Sequence, residues 1–323
     1  MLQVDVLRKR SVPSGRARIL PPQLKKARVR AFFIYLKLKN MELQTKVDTG
    51  KADFQIAPCE QMLFVGSCFA DSIGKRFVQE KFRATVNPFG VMYNPVSILH
   101  TIERMDGQFH TAFLTLGTNH VYRLKETGEI VDNCQKRPAE LFQEEELTVD
   151  ECADYLQQAV NKLRALNPEM NIVLTVSPIR YRKYGYHGSQ LSKATLLLAA
   201  HRVCSGLYTQ EQVNDEQEVS IKTRQAVVYF PAYELVMDEL RDYRFYKADM
   251  LHPSDQAVEY IWERLVDWCF STEAKEFLRE WTPLKAALNH RPFDADSDTY
   301  KAFMDKTMLK VAELQKKYPT FAL

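Results

Sequence analysis

The sequence lacks several patterns that would assign it to a specialised class of protein. Its six cysteines are scattered over 323 residues without a CxxC pair or the spacing of zinc ligands, so neither a disulfide framework nor a structural metal is expected. No apolar run approaches the roughly 20 residues of a membrane span, and no apolar segment with a small-residue cleavage site follows the basic start. We therefore expect a cytoplasmic protein with reduced thiols, no membrane partner and no metal or other cofactor.

Positive charge is concentrated at the start of the chain. Residues 1–40 contain 11 Lys or Arg and one acidic residue, Asp5, whereas the remaining 283 residues contain 33 basic and 40 acidic side chains. A basic arm can bind nucleic acid, but this one lacks the aromatic residues or helical regularity that favour such a role. We expect a disordered extension over residues 1–40, no nucleic-acid partner, and one domain over residues 41–323.

From residue 60 onward, short apolar runs alternate with amphipathic stretches. Strands are predicted for MLFVG, ATVNPFG, TAFLTLG, NIVLTVSP and the start of QAVVYFPAYELVMDEL, with helices between them. Within YRLKETGEIVDNCQKRP, the turn at Thr127 and Gly128 predicts a hairpin. Strands separated by helices predict an α/β fold with a mostly parallel sheet covered on both faces. From about Ser271 the pattern predicts a C-terminal helical appendage.

The stretch LFVGSCFADSIGKRF places Ser67 and Cys68 between a predicted strand and a predicted helix. Such a turn lies at the carboxyl edge of a parallel sheet, where ligands bind and helix N–H groups face them. Two interpretations are open at this point. The turn contributes a nucleophile, or Ser67 caps the helix and Cys68 is a small buried residue.

Polar motifs also follow the other predicted strands. They are residues 87–90, residues 117–119, Ser177 with Pro178 and, after the last strand, Asp249 and His252. A carboxylate three residues before a histidine can fix its tautomer and stabilise the imidazolium. A nucleophile at the first turn, an oriented base at the last and polar donors between them would form an acyl-transfer site.

Several longer motifs resemble a known family. They are GSCFA, NPFGVMYNPVSI, LTLGT, VYRLKETGEI, LTVSPIR, LSKA, YFPAYELVMDELRDYRFY, DMLHPS and HRPFD. From about Phe54 to the C-terminal region, the chain resembles the GSCFA-domain family, placed among the SGNH (GDSL-like) hydrolases. The resemblance implies a flavodoxin-like, three-layer α/β/α fold. It also implies an ester hydrolase or acyltransferase that needs no metal.

The resemblance further implies roles for single residues. Cys68, rather than Ser67, stands where the SGNH nucleophile stands, although the residues alone leave both open. The D-x-x-H block is matched fully by Asp249 and His252. The expected partner is a small-molecule acyl ester or an acylated carbohydrate, and no oligomeric state is implied.

Two oxyanion-hole donors are implied in the same way. They are the Gly90 N–H and the side-chain amide of Asn119, after which His120 replaces the acidic residue of the SGNH block. The chain departs from the family in the stretch between Gly90 and Gly117, which has only 26 residues and lacks a longer segment rich in Trp and His. The alternative hypothesis is therefore a non-catalytic binding module that has lost part of the active-site wall.

Overall fold

The described part of the chain contains eight β-strands. A computed structural model describes residues 44–134, 137–206 and 227–321, so the expected extension over residues 1–40 and the expected domain start at residue 41 lie outside the described residues. The strands are β1 (Gln61–Gly66), β2 (Arg83–Val86), β3 (Thr111–Leu116), β4 (His120–Leu124), β5 (Ile130–Val131), β6 (Phe142–Glu146), β7 (Asn171–Val176) and β8 (Val227–Tyr229).

Seven long helices connect or follow the described strands. They are α1 (Cys68–Gln79), α2 (Pro95–Glu103), α3 (Val149–Leu166), α4 (Gly185–Cys204), α5 (Asp255–Cys269), α6 (Thr272–Leu288) and α7 (Asp298–Lys317). Between β8 and α5, a short turn of helix (Ala232–Glu234) continues as a π-helical turn (Leu235–Glu239). No helix of the described residues is long and apolar enough to cross a membrane.

The central sheet is parallel, in the order β2-β1-β3-β7-β8. This is the flavodoxin-like strand order, and the predicted α/β fold with a mostly parallel sheet is confirmed. Successive residues of β1 point to opposite faces, so that Met62 and Phe64 join one core while Leu63 and Val65 join the other. Helices α1, α5, α6 and α7 contribute to the first core, and α2, α3 and α4 contribute to the second. The fold therefore has three layers.

A smaller antiparallel sheet, ordered β5-β4-β6, is inserted between β3 and α3. The predicted hairpin around Gly128 corresponds to β4 and β5. Strand β6 was not predicted, because its sequence FQEEE has low β-propensity and buries only Phe142. Pairing with β4 stabilises it, including an ion pair between Arg123 and Glu145 at 3.0 Å.

Side-chain caps mark the starts of several helices. Thr148 forms a capping box with Glu151 at the start of α3, which ends at Leu166, before Pro168. The C-terminal appendage is helical, as predicted, and it packs on the core: Phe277 of α6 contacts Phe82 at a ring separation of 6.3 Å. The helices α6 and α7 are therefore part of the same hydrophobic core as α1.

Candidate active site

The turn after β1 is held by both neighbouring strands. Gly66 has φ = 144°, and a Cβ there would lie 2.1 Å from the carbonyl oxygen of Thr115, so only glycine fits. Its N–H donates to Asn87 Oδ1 at 2.8 Å, and the Asn87 amide donates to Asp71 Oδ1 at 2.6 Å. The next N–H, of Ser67, donates to Thr115 O at 3.1 Å. These bonds fix the position at which α1 begins.

Ser67 and Cys68 face different environments. The Ser67 side chain is buried, and its Oγ accepts the N–H of Phe69 at 3.2 Å as the N-cap of α1. The prediction that Ser67 caps the helix is therefore confirmed. Cys68 is the first residue of α1 and is only partly buried. Its main-chain N–H belongs to the first helical turn, where N–H groups have no carbonyl partner within the helix.

The Cys68 thiol lies beside a tyrosine that the sequence did not indicate. Cys68 Sγ and Tyr93 Oη are 3.7 Å apart, within the range of a sulfur hydrogen bond. Burial, together with the neighbouring Cys68, raises the pKa of Tyr93 to about 12. The phenol therefore keeps its proton at neutral pH and can donate it in a hydrogen bond to a thiolate.

The two donors implied for an oxyanion hole are engaged within the protein. The Gly90 N–H donates to Asn87 O at 2.9 Å and closes the turn after β2. The Asn119 amide donates to Leu147 O at 2.8 Å, and this side chain is 3% exposed. Both contacts hold loops together. They use the Gly90 N–H and one of the two N–H donors of the Asn119 amide, and the donor roles that the resemblance implies for these residues stay predictions.

The turn after β3 rests on helix α4. The N–H groups of Gly117 and Thr118 both donate to Tyr93 O, at 2.9 and 2.8 Å. From α4, Ser192 Oγ accepts the N–H of Asn119, and Lys193 Nζ donates to Gly117 O at 2.6 Å. The LSKA motif therefore positions this turn, and through Tyr93 it supports the surroundings of the thiol.

Lys193 is a buried amine without a carboxylate partner among the described contacts. Its side chain is 2% exposed, and burial lowers the pKa of Lys193 to about 7. An ammonium has three N–H donors, and the Gly117 carbonyl satisfies one of them. The uncharged amine is therefore favoured from near-neutral pH upward.

The predicted contact between Asp249 and His252 is present. Asp249 Oδ2 lies 2.6 Å from His252 Nδ1, and Oδ1 accepts the N–H groups of Leu251 and His252 at 2.8 and 3.0 Å. The two main-chain donors and the imidazole lower the pKa of Asp249 to about 2. Since the carboxylate takes Nδ1, His252 Nε2 is the nitrogen left for a reacting group.

Contacts at the carboxyl edge connect the two ends of the site. Tyr93, beside Cys68, packs edge to face on Tyr181, with ring centroids 5.9 Å apart. The preceding residue, Arg180, donates its N–H at 3.2 Å to the carbonyl of the residue before His252. The structure thus places Cys68 and His252 on the same edge of the sheet, linked through the segment that follows β7.

Comparison with known protein families identifies the family of this chain. A model of the GSCFA family matches residues 61–112 and 107–265, and a model of the GSCFA domain protein, C-terminal domain, matches residues 281–323. The chain belongs to the GSCFA family. No curated protein matches it.

Several solved structures resemble this chain at low similarity. A protein described as a platelet activating factor from Streptococcus pneumonia is 17% identical, with 76% of this chain and 94% of that chain covered and a TM-score of 0.38. A carbohydrate esterase family 3 protein from Talaromyces cellulolyticus is 9% identical, with 68% and 99% covered and a TM-score of 0.37. A mutant acetyl esterase with an acetate ion is 11% identical, with 71% and 100% covered and a TM-score of 0.34. Similarity at this level carries no argument about activity.

In this GSCFA-family chain, the His120 side chain is packed within the fold. Its ring is largely buried and stacks on Tyr184 with ring centroids 3.5 Å apart. Burial lowers the pKa of His120, which keeps the imidazole neutral. Elsewhere in residues 44–134, 137–206 and 227–321, no three His, Cys, Asp or Glu side chains are grouped as metal ligands.

Proposed function

We propose that this GSCFA-family protein is an SGNH-type ester hydrolase or acyltransferase whose nucleophile is Cys68. The proposal rests on the different environments of Ser67 and Cys68 in the turn after β1. The Ser67 hydroxyl is buried and occupied as a helix cap, while the adjacent Cys68 thiol is partly exposed and hydrogen-bonded to Tyr93. A thiolate at a helix N-terminus is stabilised by the helix dipole and is the reactive form of cysteine.

The first half of the reaction is attack of the Cys68 thiolate on the carbonyl carbon of an ester. The new S–C bond moves the carbonyl electrons onto oxygen, and the main-chain N–H of Cys68 and the Tyr93 hydroxyl supply donors for that oxyanion. When the intermediate collapses, the C–O bond of the ester breaks. The leaving alkoxide takes the proton that the thiol had passed to His252, and an S-acyl enzyme remains.

The second half releases the acyl group. His252 removes a proton from water, or from an acceptor alcohol in the transferase case, as that oxygen attacks the thioester carbon. The thiolate leaves, and an acid or a new ester is formed. Asp249 holds the imidazole by Nδ1 throughout and stabilises its charged form, so Nε2 performs both transfers. The proposed substrate class is a small acyl ester or an acylated carbohydrate.

The proposal is tested by selective alkylation. Iodoacetamide near pH 7 should modify Cys68 well before the other five cysteines, of which Cys59, Cys152 and Cys269 are buried. Peptide mass spectrometry gives the rate for each thiol, and hydrolysis of p-nitrophenyl acetate is followed in the same samples. Activity should disappear in step with Cys68 alkylation and should be absent in Cys68→Ala. Full activity after complete alkylation of Cys68 would refute the nucleophile.

One observation favours the alternative, a binding module without turnover. The Gly90 N–H and one of the two N–H donors of the Asn119 amide are bonded within the protein, which leaves fewer oxyanion donors than the resemblance implies. Such a module would still bind acetylated ligands, but it would hydrolyse p-nitrophenyl acetate no faster after purification than the Cys68→Ala variant. The same assay therefore separates the two functions.

A further inference from the structure

Arg180 is a basic residue beside the Asp249–His252 loop whose charge has no carboxylate partner among the described contacts. It follows β7, and its guanidinium carbon lies 4.3 Å from the ring centroid of Tyr186 and 5.4 Å from that of Tyr246. Cation–π contacts of this kind fix the plane of the guanidinium without neutralising its charge. The side chain is thus oriented and still positive.

Within the described residues, most of the hydrogen-bonding capacity of Arg180 is unused. A guanidinium carries five N–H donors, and the structure shows a side-chain bond from one of them, Nη1, to Met250 O at 3.4 Å. The acidic side chain on the same loop is Asp249, whose two oxygens are already taken by Leu251 and His252. The remaining donors of Arg180 are therefore available to a group from outside the chain.

A second basic residue of the same segment provides the contrast. Lys183, three residues further on, bonds both carboxylate oxygens of Glu144, at 3.0 and 2.9 Å, and contacts the Tyr122 hydroxyl. Its charge is compensated within the protein. Arg180, by contrast, bonds the carbonyls of Met250 and Leu251, next to His252. It has no carboxylate partner among the described contacts.

We propose that Arg180 forms an anion-binding subsite that selects acyl substrates bearing a carboxylate or phosphate group. The planar fork of an arginine side chain matches the two oxygens of either group. Its contacts with the residues next to His252 place the bound anion beside the group that handles protons in the reaction. The selection of substrates rests on the function proposed above, whereas the binding of the anion does not.

Anion binding is measured directly on the full-length chain at low ionic strength. Inorganic phosphate and succinate are titrated calorimetrically into the wild type, Arg180→Gln and Arg182→Gln, where Arg182 is an exposed neighbour that serves as the charge-matched control. We expect the wild type and Arg182→Gln to bind at least one of the two anions, with affinity about tenfold or more lower in Arg180→Gln. The anion that binds more tightly identifies the preferred group. Equal binding by Arg180→Gln and the wild type, or no binding by the wild type, would overturn the subsite.

Selection of substrates is measured with two esters of the same leaving group. p-Nitrophenyl acetate is neutral, and mono-p-nitrophenyl succinate carries a carboxylate at the far end of its acyl chain. The ratio of kcat/KM for the charged ester to that for the neutral ester should fall about tenfold or more in Arg180→Gln, mainly through KM, and should be unchanged in Arg182→Gln. An equal loss for both esters would mean that Arg180 only supports the loop, and would contradict the proposal.

A conservative variant guards against misfolding. Arg180→Lys keeps the charge but loses the fork, so its affinity for the anion should lie between those of the wild type and Arg180→Gln. If anion binding depends on Arg180 but neither ester is hydrolysed, the proposed enzyme activity is refuted and the anion-binding subsite is supported. If hydrolysis depends on Cys68 but is equally fast for the charged and the neutral ester, the proposed enzyme activity is supported and the selection of anionic substrates by Arg180 is refuted.

Discussion

The candidate site has a buried half and an exposed half, and both contain residue types that are often catalytic. The buried half is Ser67, Gly117, Asn119 and Lys193. The exposed half, whose side chains are partly or largely exposed, is Cys68, Arg180, Asp249 and His252. Side chains of the buried half are 1–3% exposed at Ser67, Asn119 and Lys193. Those of Asp249 and His252 are 43% and 39% exposed.

The difference lies in what each polar group contacts. In the buried half, Ser67 bonds the N–H of Phe69, the Asn119 amide bonds Leu147 O and Lys193 bonds Gly117 O. In the exposed half, Asp249 orients His252 by Nδ1, and Nε2 has no hydrogen bond to another described residue. The buried half holds the main chain in place, and the exposed half keeps groups available for a ligand. Substitutions in the first should change stability, and those in the second should change rate.

The largest expected effect is on rate, in the exposed half. His252→Ala removes the proposed general base, so kcat/KM for p-nitrophenyl acetate should fall by about 10² to 10⁴. Because the side chain is partly exposed and loses one solvent-screened contact with Asp249, the free energy of unfolding should change by about 1 kcal/mol or less. The matched control is His110→Ala, at an exposed histidine before β3, which should keep its activity. An active His252→Ala enzyme would show that the exposed half is not catalytic.

The next effect concerns stability and its dependence on pH, in the buried half. The pKa of Lys193 falls from 10.5 to about 7 on folding, so between these values the unfolded chain binds more protons than the folded one. This residue therefore makes the free energy of unfolding rise with pH over that window. Relative to Lys193→Met, the wild type should gain roughly 4 kcal/mol between pH 7 and pH 10.

Urea unfolding at several pH values measures this difference. Lys301→Met, at an exposed position of α7, is the control and should parallel the wild type across the window. If Lys193→Met also paralleled the wild type, Lys193 would carry its charge in the folded state. The buried half would then contain a charged group, and the contrast between the halves would weaken.

The sequence predicts contacts between residues that are close along the chain better than contacts between distant ones. The alternation of strands and helices, the hairpin at Gly128 and the Ser67 cap depend on neighbours along the chain, and so does the Asp249–His252 contact, which spans three residues. The Cys68–Tyr93 contact spans 25 residues and the Lys193–Gly117 bond spans 76. No local pattern indicates such pairs, because they arise when separate strands end at one edge.

The hydrogen-bond partners of Gly90 and Asn119 illustrate the same limit, while the donor roles implied for these residues stay predictions. Residue type and order matched the expected blocks, but the folded chain uses the Gly90 N–H within its own turn and the Asn119 amide on the loop before α3. A match of residue type identifies which group is present. It does not identify its hydrogen-bond partner, which is set by how loops of different strands pack.

A smaller effect on stability is expected at the start of the turn. Gly66→Ala should destabilise the protein by about 2–4 kcal/mol, since its Cβ would overlap Thr115 O and φ is 144°. The control is Gly128→Ala in the hairpin, where φ is 74° but the space is open, so only the backbone strain of about 1–2 kcal/mol applies. Urea unfolding of both variants isolates the clash. Equal losses would mean that the turn can move away from β3.

The smallest effect distinguishes the two halves at adjacent residues. Ser67→Ala should cost about 1 kcal/mol of stability, because the Phe69 N–H loses its cap, and it should keep its esterase activity. Ser254→Ala removes the equivalent cap of α5, where Ser254 Oγ accepts the N–H of Ala257 at 3.2 Å, and should cost a similar amount. Both are measured by urea unfolding and by hydrolysis of p-nitrophenyl acetate. If Ser67→Ala were inactive while Cys68→Ala stayed active, the nucleophile would lie one residue earlier. A buried, capping hydroxyl would then have to leave its N–H partner during turnover, and burial would no longer separate the structural residues of this site from the reactive ones.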